Sequence, residues 1–281
     1  MAKVRIKFWG VRGSMAIPGK QTARYGGNTT CIEIRSGRDH LILDGGTGIR
    51  PLGADIMRRA GQRSFKSFIL LSHMHWDHYI GLPFFKPFYW SRNQFVVAGP
   101  KAMGRDFGGV LNRAISPPYF PIRLRELGAK IKFRTISKRP FKVGGIRVVP
   151  LVANHPNGAF GWRLEFPGGK SAVVMTDNEP QKGRKELELL KGIWNADVLI
   201  HDAQYSPSSY KRRIGWGHSP YTYPVWLAAE AEIPRVYLTH FDTDDADSRL
   251  DRTRAAVRKF AKSLKADVRC ELAHEGLSFN L

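Results

Sequence analysis

Cysteine is nearly absent: Cys31 and Cys270 are the only two in 281 residues. Thiols so far apart make no disulfide framework, and neither has the close spacing of a metal knuckle. Both read as core thiols. Long apolar runs are missing too. Phe68 to Leu71 and Val198 to Ile200 are strand-sized, against the roughly 20 residues that a membrane helix needs. The opening MAKVRIKFWGVRG has one short apolar alternation and no apolar core of a secretory signal, so a cytoplasmic protein without membrane contact is expected. Acidic residues are scarce. Asp and Glu number 24 against 45 Lys and Arg, a formal net charge of +21. That balance nominates anionic partners such as phosphate esters, nucleic acid or an acidic surface; a solvated basic surface explains it equally well. The charge forms no tail.

What is present is a hydrophobic share of 42%, enough for a core and free of any disorder signature. Val4, Ile6 and Phe8 alternate with Lys3, Arg5 and Lys7, a half-buried strand. Cys31 to Ile34 and His40 to Asp44 predict two more. A Gly-rich turn then leads into a helix with Ile49, Leu52, Ile56 and Met57 on one face. Ser67 to Ser72 is a buried strand. Residues 81–125, rich in aromatics, Pro and Gly, read as loops and a helix over the mouth of a site. Strand patterning returns in FPIRLRELGAKIKFRTI, IRVVPLVAN, FGWRLEF, SAVVMTD, ADVLIHDAQ, RVYLTH and DVRCELA. Helical patterns fill Thr222 to Glu230 and Ser248 to Leu264. No repeat and no linker interrupts the chain. One α/β domain over residues 1–281, a sandwich of sheets covered by helices, is the expected architecture.

The chemistry lies in H-x-H-x-D-H, formed by His73, His75, Asp77 and His78 directly after a buried strand. Residues two apart on an extended segment point the same way, so His73 and His75 can grip one ion. Asp77 and His78 follow on the turn, where the chain can redirect them to a second. Imidazole and carboxylate suit zinc, and also manganese or iron. His155, Asp177 and His240 each follow an apolar strand. A lone His or Asp at a strand end is usually a surface or capping group. Several strands ending this way instead point to a shared site at one sheet edge.

The run SHMHWDH, with His155, MTDNE and LTHFD downstream, resembles the metallo-β-lactamase superfamily over nearly the whole chain. FWGVRGS, RYGGNTT and LILDGGTG are similar to its phosphodiesterase and tRNA 3′-processing endonuclease (RNase Z) branches. The resemblance implies an αββα sandwich, two mixed sheets flanked by helices. It implies that His73, His75 and His155 bind one metal, that Asp77, His78 and His240 bind another, and that Asp177 bridges them. A carboxylate spans a metal pair about 3.5–4 Å apart more readily than an imidazole does. An Asp at the bridging position counts against the classical lactamase type. The match also makes Asp44 a residue that steadies a ligand histidine from behind; a turn or cap role is its alternative.

HDAQ (His201 to Gln204) closes a strand, and GHS (Gly217 to Ser219) is read as opening a helix. The tRNA-processing enzymes carry a His-Glu pair at the first position and Gly-His-Ser at the second. By that match His218 is the general acid and Asp202 orients it, with Asp in place of the usual Glu. A capping role is the alternative for His218. His201 reads as structural, and His40 and His274 match nothing. Arg12, Arg24 and Asn28, in Gly-flanked turns, either hold a phosphate or serve turn structure.

Two cations would lower the pKa of a bridging water, giving a hydroxide for in-line attack on phosphorus. Asp177 and Asp77 would hold that nucleophile, and His218 would protonate the departing oxygen. The long Gly- and basic-rich arm of the tRNA-processing enzymes has no clear counterpart; Pro83 to Pro121 suggests a lid. A small or cyclic phosphodiester is therefore the expected substrate, with RNA second. Glyoxalase-type thioester hydrolases carry nearly the same ligands and stay open as an alternative. So does a nucleic-acid-binding protein with a structural metal site. Homodimers are common among the related phosphodiesterases, which suggests one here.

Overall fold

The computed structural model describes residues 3–281. Alternation makes the first strand: Val4, Ile6 and Phe8 are buried, and Arg5 faces water. In chain order the strands are β1 (Val4–Gly10), β2 (Cys31–Ser36), β3 (Asp39–Leu43), β4 (Lys66–Leu70), β5 (Gln94–Pro100), β6 (Lys130–Ile136), β7 (Phe141–Val143), β8 (Ile146–Ala153), β9 (Ala159–Glu165), β10 (Ser171–Met175), β11 (Val198–Asp202), β12 (Arg235–Thr239), β13 (Arg269–Leu272) and β14 (Ser278–Asn280). The α-helices are α1 (Ile49–Ala60), α2 (Phe107–Ala114), α3 (Arg184–Ile193), α4 (Pro207–Tyr210), α5 (Thr222–Glu230) and α6 (Asp247–Ser263).

The described strands form two sheets, ordered β14-β1-β2-β3-β4-β5-β6 and β13-β12-β11-β10-β9-β8-β7. Both are mixed. Strands β3 to β6 run parallel, as do β10 to β13, while β1 to β3 and β7 to β10 pair antiparallel. The sheets face each other. Phe8 on β1 meets Tyr237 on β12 with ring centroids 5.9 Å apart, and Phe68 on β4 meets Phe141 on β7 at 6.1 Å. The outer face of the first sheet buries Ile42, Ile69 and Val97 under Ile49, Leu52 and Ile56 of α1 and Phe107 and Leu111 of α2. Over the second sheet lie Leu189 and Ile193 of α3, Val225 and Leu227 of α5, and Leu250 and Val257 of α6. The result is helices, sheet, sheet, helices, a two-sheet sandwich with both outer faces covered. Strands β10 and β11 are buried at every residue, as parallel strands covered on both faces must be.

Four elements depart from the sequence pattern. The strand expected from Phe120 begins only at Lys130; Leu124–Glu126 is a short 3-10 turn held by its own local hydrogen bonds. Strand β5 lies inside the stretch expected to be loops and a helix. After Gln94, its FVVAGP is an unbroken apolar run beneath α2, so it lacks the alternation that marks a half-exposed strand. Half of helix α3 is charged and it buries only Leu189 and Ile193, too narrow a stripe to announce itself. Helix α5 begins at Thr222, so GHS lies in the loop ahead of it and does not open it.

His40 belongs to a buried polar cluster behind the first sheet. Burial lowers its pKa and keeps it neutral. Its Nε2–H donates to Glu33 Oε1 at 3.0 Å, and Ser67 donates to its Nδ1 at 2.8 Å. Arg59 and Trp9 also donate to Glu33, at 2.6 and 3.0 Å. Burial opposes ionisation of Glu33, but His40 and Arg59 outweigh it and hold the carboxyl down at about 2. The cluster satisfies a charge between β2 and α1 and plays no part in the site.

Candidate metal centre

The candidate ligands stand where strands stop. Leu71 and Ser72 follow β4 and lead into His73. Asn154 leads from β8 to His155, and Thr176 leads from β10 to Asp177; His240 directly follows β12. Strand β9 runs antiparallel to both neighbours, so β8 and β10 deliver their residues to the same edge of the sandwich. Two of these corners need unusual backbone. His240 and Asp44 both have φ of +60°, a left-handed conformation that non-glycine residues adopt at a cost. At a strand end it breaks the alternation that would otherwise set the side chain's direction.

The geometry falls into two sets. His73, His75, His155 and Asp177 bring one donor atom each within 4.8 Å of one another, and so do Asp77, His78 and His240. Asp177 faces both. Its Oδ2 lies 3.7 Å from His73 Nε2 and from His155 Nε2. Its Oδ1 lies 3.1 Å from His78 Nε2 and 3.2 Å from His240 Nε2. Asp77 Oδ2 is 3.2 Å from the same two nitrogens and accepts from the backbone N–H of Ser14 at 2.8 Å.

Partners behind His78, His240 and His155 fix which nitrogen faces the centre. His78 Nδ1 lies 3.0 Å from Asp44 Oδ2, and Asp44 is itself held by donations from Ser72 N and Thr176 Oγ1. The His240 Nδ1–H donates to Gln204 Oε1 at 3.1 Å, and the His155 Nδ1–H to the Gly217 carbonyl at 3.0 Å. Their Nε2 lone pairs are thereby turned inward. Burial holds His73 and His155 below the ordinary imidazole range, so both stay neutral donors. His155 Nε2 and His75 Nδ1 approach to 3.0 Å, and His240 Nε2 and His78 Nε2 to 3.4 Å. His73 Nε2 and Asp177 Oδ1 are buried with no hydrogen-bond partner. Lone pairs facing lone pairs and carboxylates repel unless positive charge sits among them. The field is negative enough that His78, although burial opposes its charge, is pushed well above its usual range by Asp177, Asp77 and Asp44. These residues fit divalent cations: nitrogen and carboxylate donors, correct tautomers, and partners behind them.

His218 stands beside this centre. Its Nδ1–H donates to Asp202 Oδ2 at 2.9 Å, and Asp202 also accepts from the backbone N–H of Ser219 and of Gln204. Burial opposes protonation of His218; Asp202, then Asp177 and Asp77, outweigh it and push the pKa up to about 9. Distance alone would also group His218 with Asp177 and His240 as cation ligands. Its Nδ1, 3.8 Å from Asp177 Oδ2, is committed to Asp202, as His78 Nδ1 is to Asp44, which leaves Nε2 as the free nitrogen of His218. An open cleft of about 440 Å³ runs over the centre, lined by Ser14, Met74, His75, Trp76, Asp77, Asp177 and His218.

Two contributors escaped the sequence reading. Gln204 orients His240. Glu179 is buried, and its carboxylate accepts from the N–H groups of Gly215 and Gly217 and from the Tyr210 hydroxyl. It anchors the loop that presents both the Gly217 carbonyl and His218. Gly217 is forced: its φ is +88°, and a Cβ would come 2.1 Å from His155 Nδ1. A carboxylate two residues past Asp177 is the only sequence cue for Glu179. His201 is buried against Asn178, as a structural residue would be. Arg12 donates to the carbonyls of Gly26 and Asp245, Arg24 pairs with Asp251, and Asn28 pairs with Glu275. These are structural hydrogen bonds and ion pairs, and Arg12 Nη2 remains buried without a partner.

A two-sheet sandwich with this histidine and aspartate centre at its strand ends defines a metallo-β-lactamase-fold hydrolase. The chain belongs to the beta-lactamase superfamily: residues 43–241 match the Beta-lactamase superfamily domain. An uncharacterised protein of Mycobacterium leprae is 27% identical over 258 residues, covering 84% of this chain and 77% of that protein. Ribonuclease Z of Bacillus subtilis is 23% identical over 246 residues, covering 70% of this chain and 78% of that enzyme. Among solved structures, the metallo-beta-lactamase fold protein YhfI from Bacillus subtilis superposes with a TM-score of 0.75 at 17% identity, over 100% of both chains. A diphosphatase from the PhnP family gives 0.68 at 17% identity over 99% of this chain and 98% of that one. Among the described residues, no helix is long and apolar enough to cross a membrane.

Asp177 is the residue both sets share, so Asp177→Ala should disturb both. Elemental analysis of metal-loaded protein should fall from about two ions per chain to about one or fewer. Full occupancy with unchanged hydrolysis would remove Asp177 from the centre.

Proposed function

We propose that the chain is a single-domain phosphodiesterase that uses two metal ions on small or cyclic phosphodiesters. The observation that carries this reading is the His218–Asp202 pair, 2.9 Å apart, opening onto the same cleft as Asp177, Asp77 and His75. His73, His75 and His155 would hold one ion, Asp77, His78 and His240 the other, and Asp177 both. Bound there, two divalent cations (zinc, or manganese or iron on the same donors) supply Lewis acidity, acidifying a water and neutralising charge on phosphate oxygens.

The chain's own groups do the rest. Asp202 accepts from His218 Nδ1–H and keeps the imidazole oriented, so Nε2 carries the proton for the departing oxygen. With divalent cations bound beside it, the imidazolium would be disfavoured and its pKa of about 9 drawn downward, towards the range where a general acid works best. Asp77, fixed by the Ser14 N–H, and Asp177 orient the attacking water. A ribonuclease is the second reading, favoured by the similarity to Ribonuclease Z and by the net charge of +21. Thioesters and lactams need no protonated leaving oxygen of this kind, so the His218–Asp202 pair weighs against them.

Metal-loaded protein should hydrolyse bis(p-nitrophenyl) phosphate faster than a thioester or a lactam. A strong thioester preference would move it to the glyoxalase type. His218→Ala should slow an alkyl or nucleoside diester by roughly 10²–10⁴-fold, the usual loss for a general acid, and a p-nitrophenyl ester much less. Metal content should not change. Equal losses on both esters would make His218 a phosphate contact, and loss of metal would make it a ligand.

A further inference from the structure

The cleft over the metal centre continues past His75. A second cleft of about 370 Å³ shares Met74 and His75 with it and extends to Pro100, Lys101, Met103 and Arg105 at the end of β5. The wall there is a closed reverse turn. The N–H and C=O of Ala102 and Arg105 bond reciprocally at 3.1 and 3.0 Å, and Met103 and Gly104 have φ of +50° and +76°. Positive φ at both central residues is the signature of a tight, right-twisted hairpin turn, which holds its flanking residues in fixed places. Arg105 closes that turn opposite Ala102, and Lys101 directly precedes it. Both are exposed, and neither makes a side-chain hydrogen bond or ion pair among the described residues. The nearest carboxylate in sequence, Asp106, is committed elsewhere: it caps α2 through Gly109 N and accepts from Thr135.

Resting on the phosphodiesterase reading, we propose that Lys101 and Arg105 form a subsite for a second phosphate, one carried by the half of the substrate that keeps the hydrolysed phosphorus. The direction follows from the layout. His218 lines only the cleft on one side of His75, so the departing oxygen and its substituent lie there. A retained ester arm directed to the other side would run along the second cleft towards Lys101 and Arg105. Hydrolysis forms the bond from water oxygen to phosphorus and breaks the bond to the leaving oxygen. The retained arm stays on the phosphorus as a monoester. Two unpaired cations on a rigid turn suit a phosphate dianion, which takes both charge-assisted contacts at once. The substrate class is thus a diester with a phosphorylated retained arm, not a bare diester.

The test uses metal-loaded protein and two chromogenic esters: thymidine 5′-(p-nitrophenyl phosphate) with and without a 3′-phosphate. The ratio of kcat/KM, phosphorylated over plain, should be on the order of 10–100 in the parent protein. In the Lys101→Ala/Arg105→Ala double variant it should fall to about one. An Arg258→Ala/Lys262→Ala control removes the same charge from a distant cleft and should keep the parent ratio. A parent ratio near one, or a ratio that follows net charge in both double variants, would overturn the subsite. Calorimetric binding of thymidine 3′,5′-bisphosphate against thymidine 5′-monophosphate separates the two levels. If neither ester is hydrolysed but the bisphosphate is preferred through Lys101 and Arg105, the subsite stands and the phosphodiesterase reading falls. No preference in either assay overturns the subsite itself.

Discussion

Positive charge must sit where His73, His75, His78, His155 and His240 turn their lone pairs toward Asp77 and Asp177. That demand organises the structure around it. Uncompensated carboxylates in a buried site cost several kcal/mol each, and opposed imidazole lone pairs add to the cost. The chain accepts this at one edge only. It surrounds the edge with groups that fix tautomers without neutralising the centre: Asp44 behind His78, Gln204 behind His240 and the Gly217 carbonyl behind His155. The strained backbone at Asp44 and His240 belongs to the same arrangement, since both residues serve the second set of donors. Two covered sheets supply the rigidity that such close opposition needs.

The centre is asymmetric in a way that gives it direction. On one side stands an imidazole with a buried carboxylate at its back, on a loop that Glu179 pins by two backbone N–H groups. On the other side the cleft opens onto Lys101 and Arg105, cations without partners. An acid on one side and fixed positive charge on the other suit a substrate that loses a substituent at one end and keeps a charged one at the other. The excess of basic residues therefore has a local meaning here, beyond its general attraction for anions.

Much of this was legible in the sequence, and the reason is spacing. His73, His75, Asp77 and His78 fall within six residues after an apolar strand, so local periodicity alone puts them in reach of shared ions. His155, Asp177 and His240 could be found because each ends a strand-like run. The partners behind them could not. Gln204 and Glu179 carry no motif, and their roles depend on which loops meet in space. The same holds for Arg12 and Asn28, whose Gly-flanked turns allowed a phosphate contact, whereas in the structure Arg12 Nε and Nη1 bond backbone carbonyls and Asn28 bonds Glu275. Strand β5 and helix α3 were missed for opposite reasons: one is apolar on both faces, the other polar on nearly all of its surface. Missing β5 also hid the Lys101–Arg105 turn at its end.

A phosphodiesterase built on this centre needs two ions held together by Asp177. Titrating zinc into chelator-stripped protein while following bis(p-nitrophenyl) phosphate hydrolysis tests it most directly. Activity should stay low through the first equivalent and rise steeply as the second binds, because the donors divide into two sets joined by Asp177. Full activity at one equivalent, or none at two, would contradict the account.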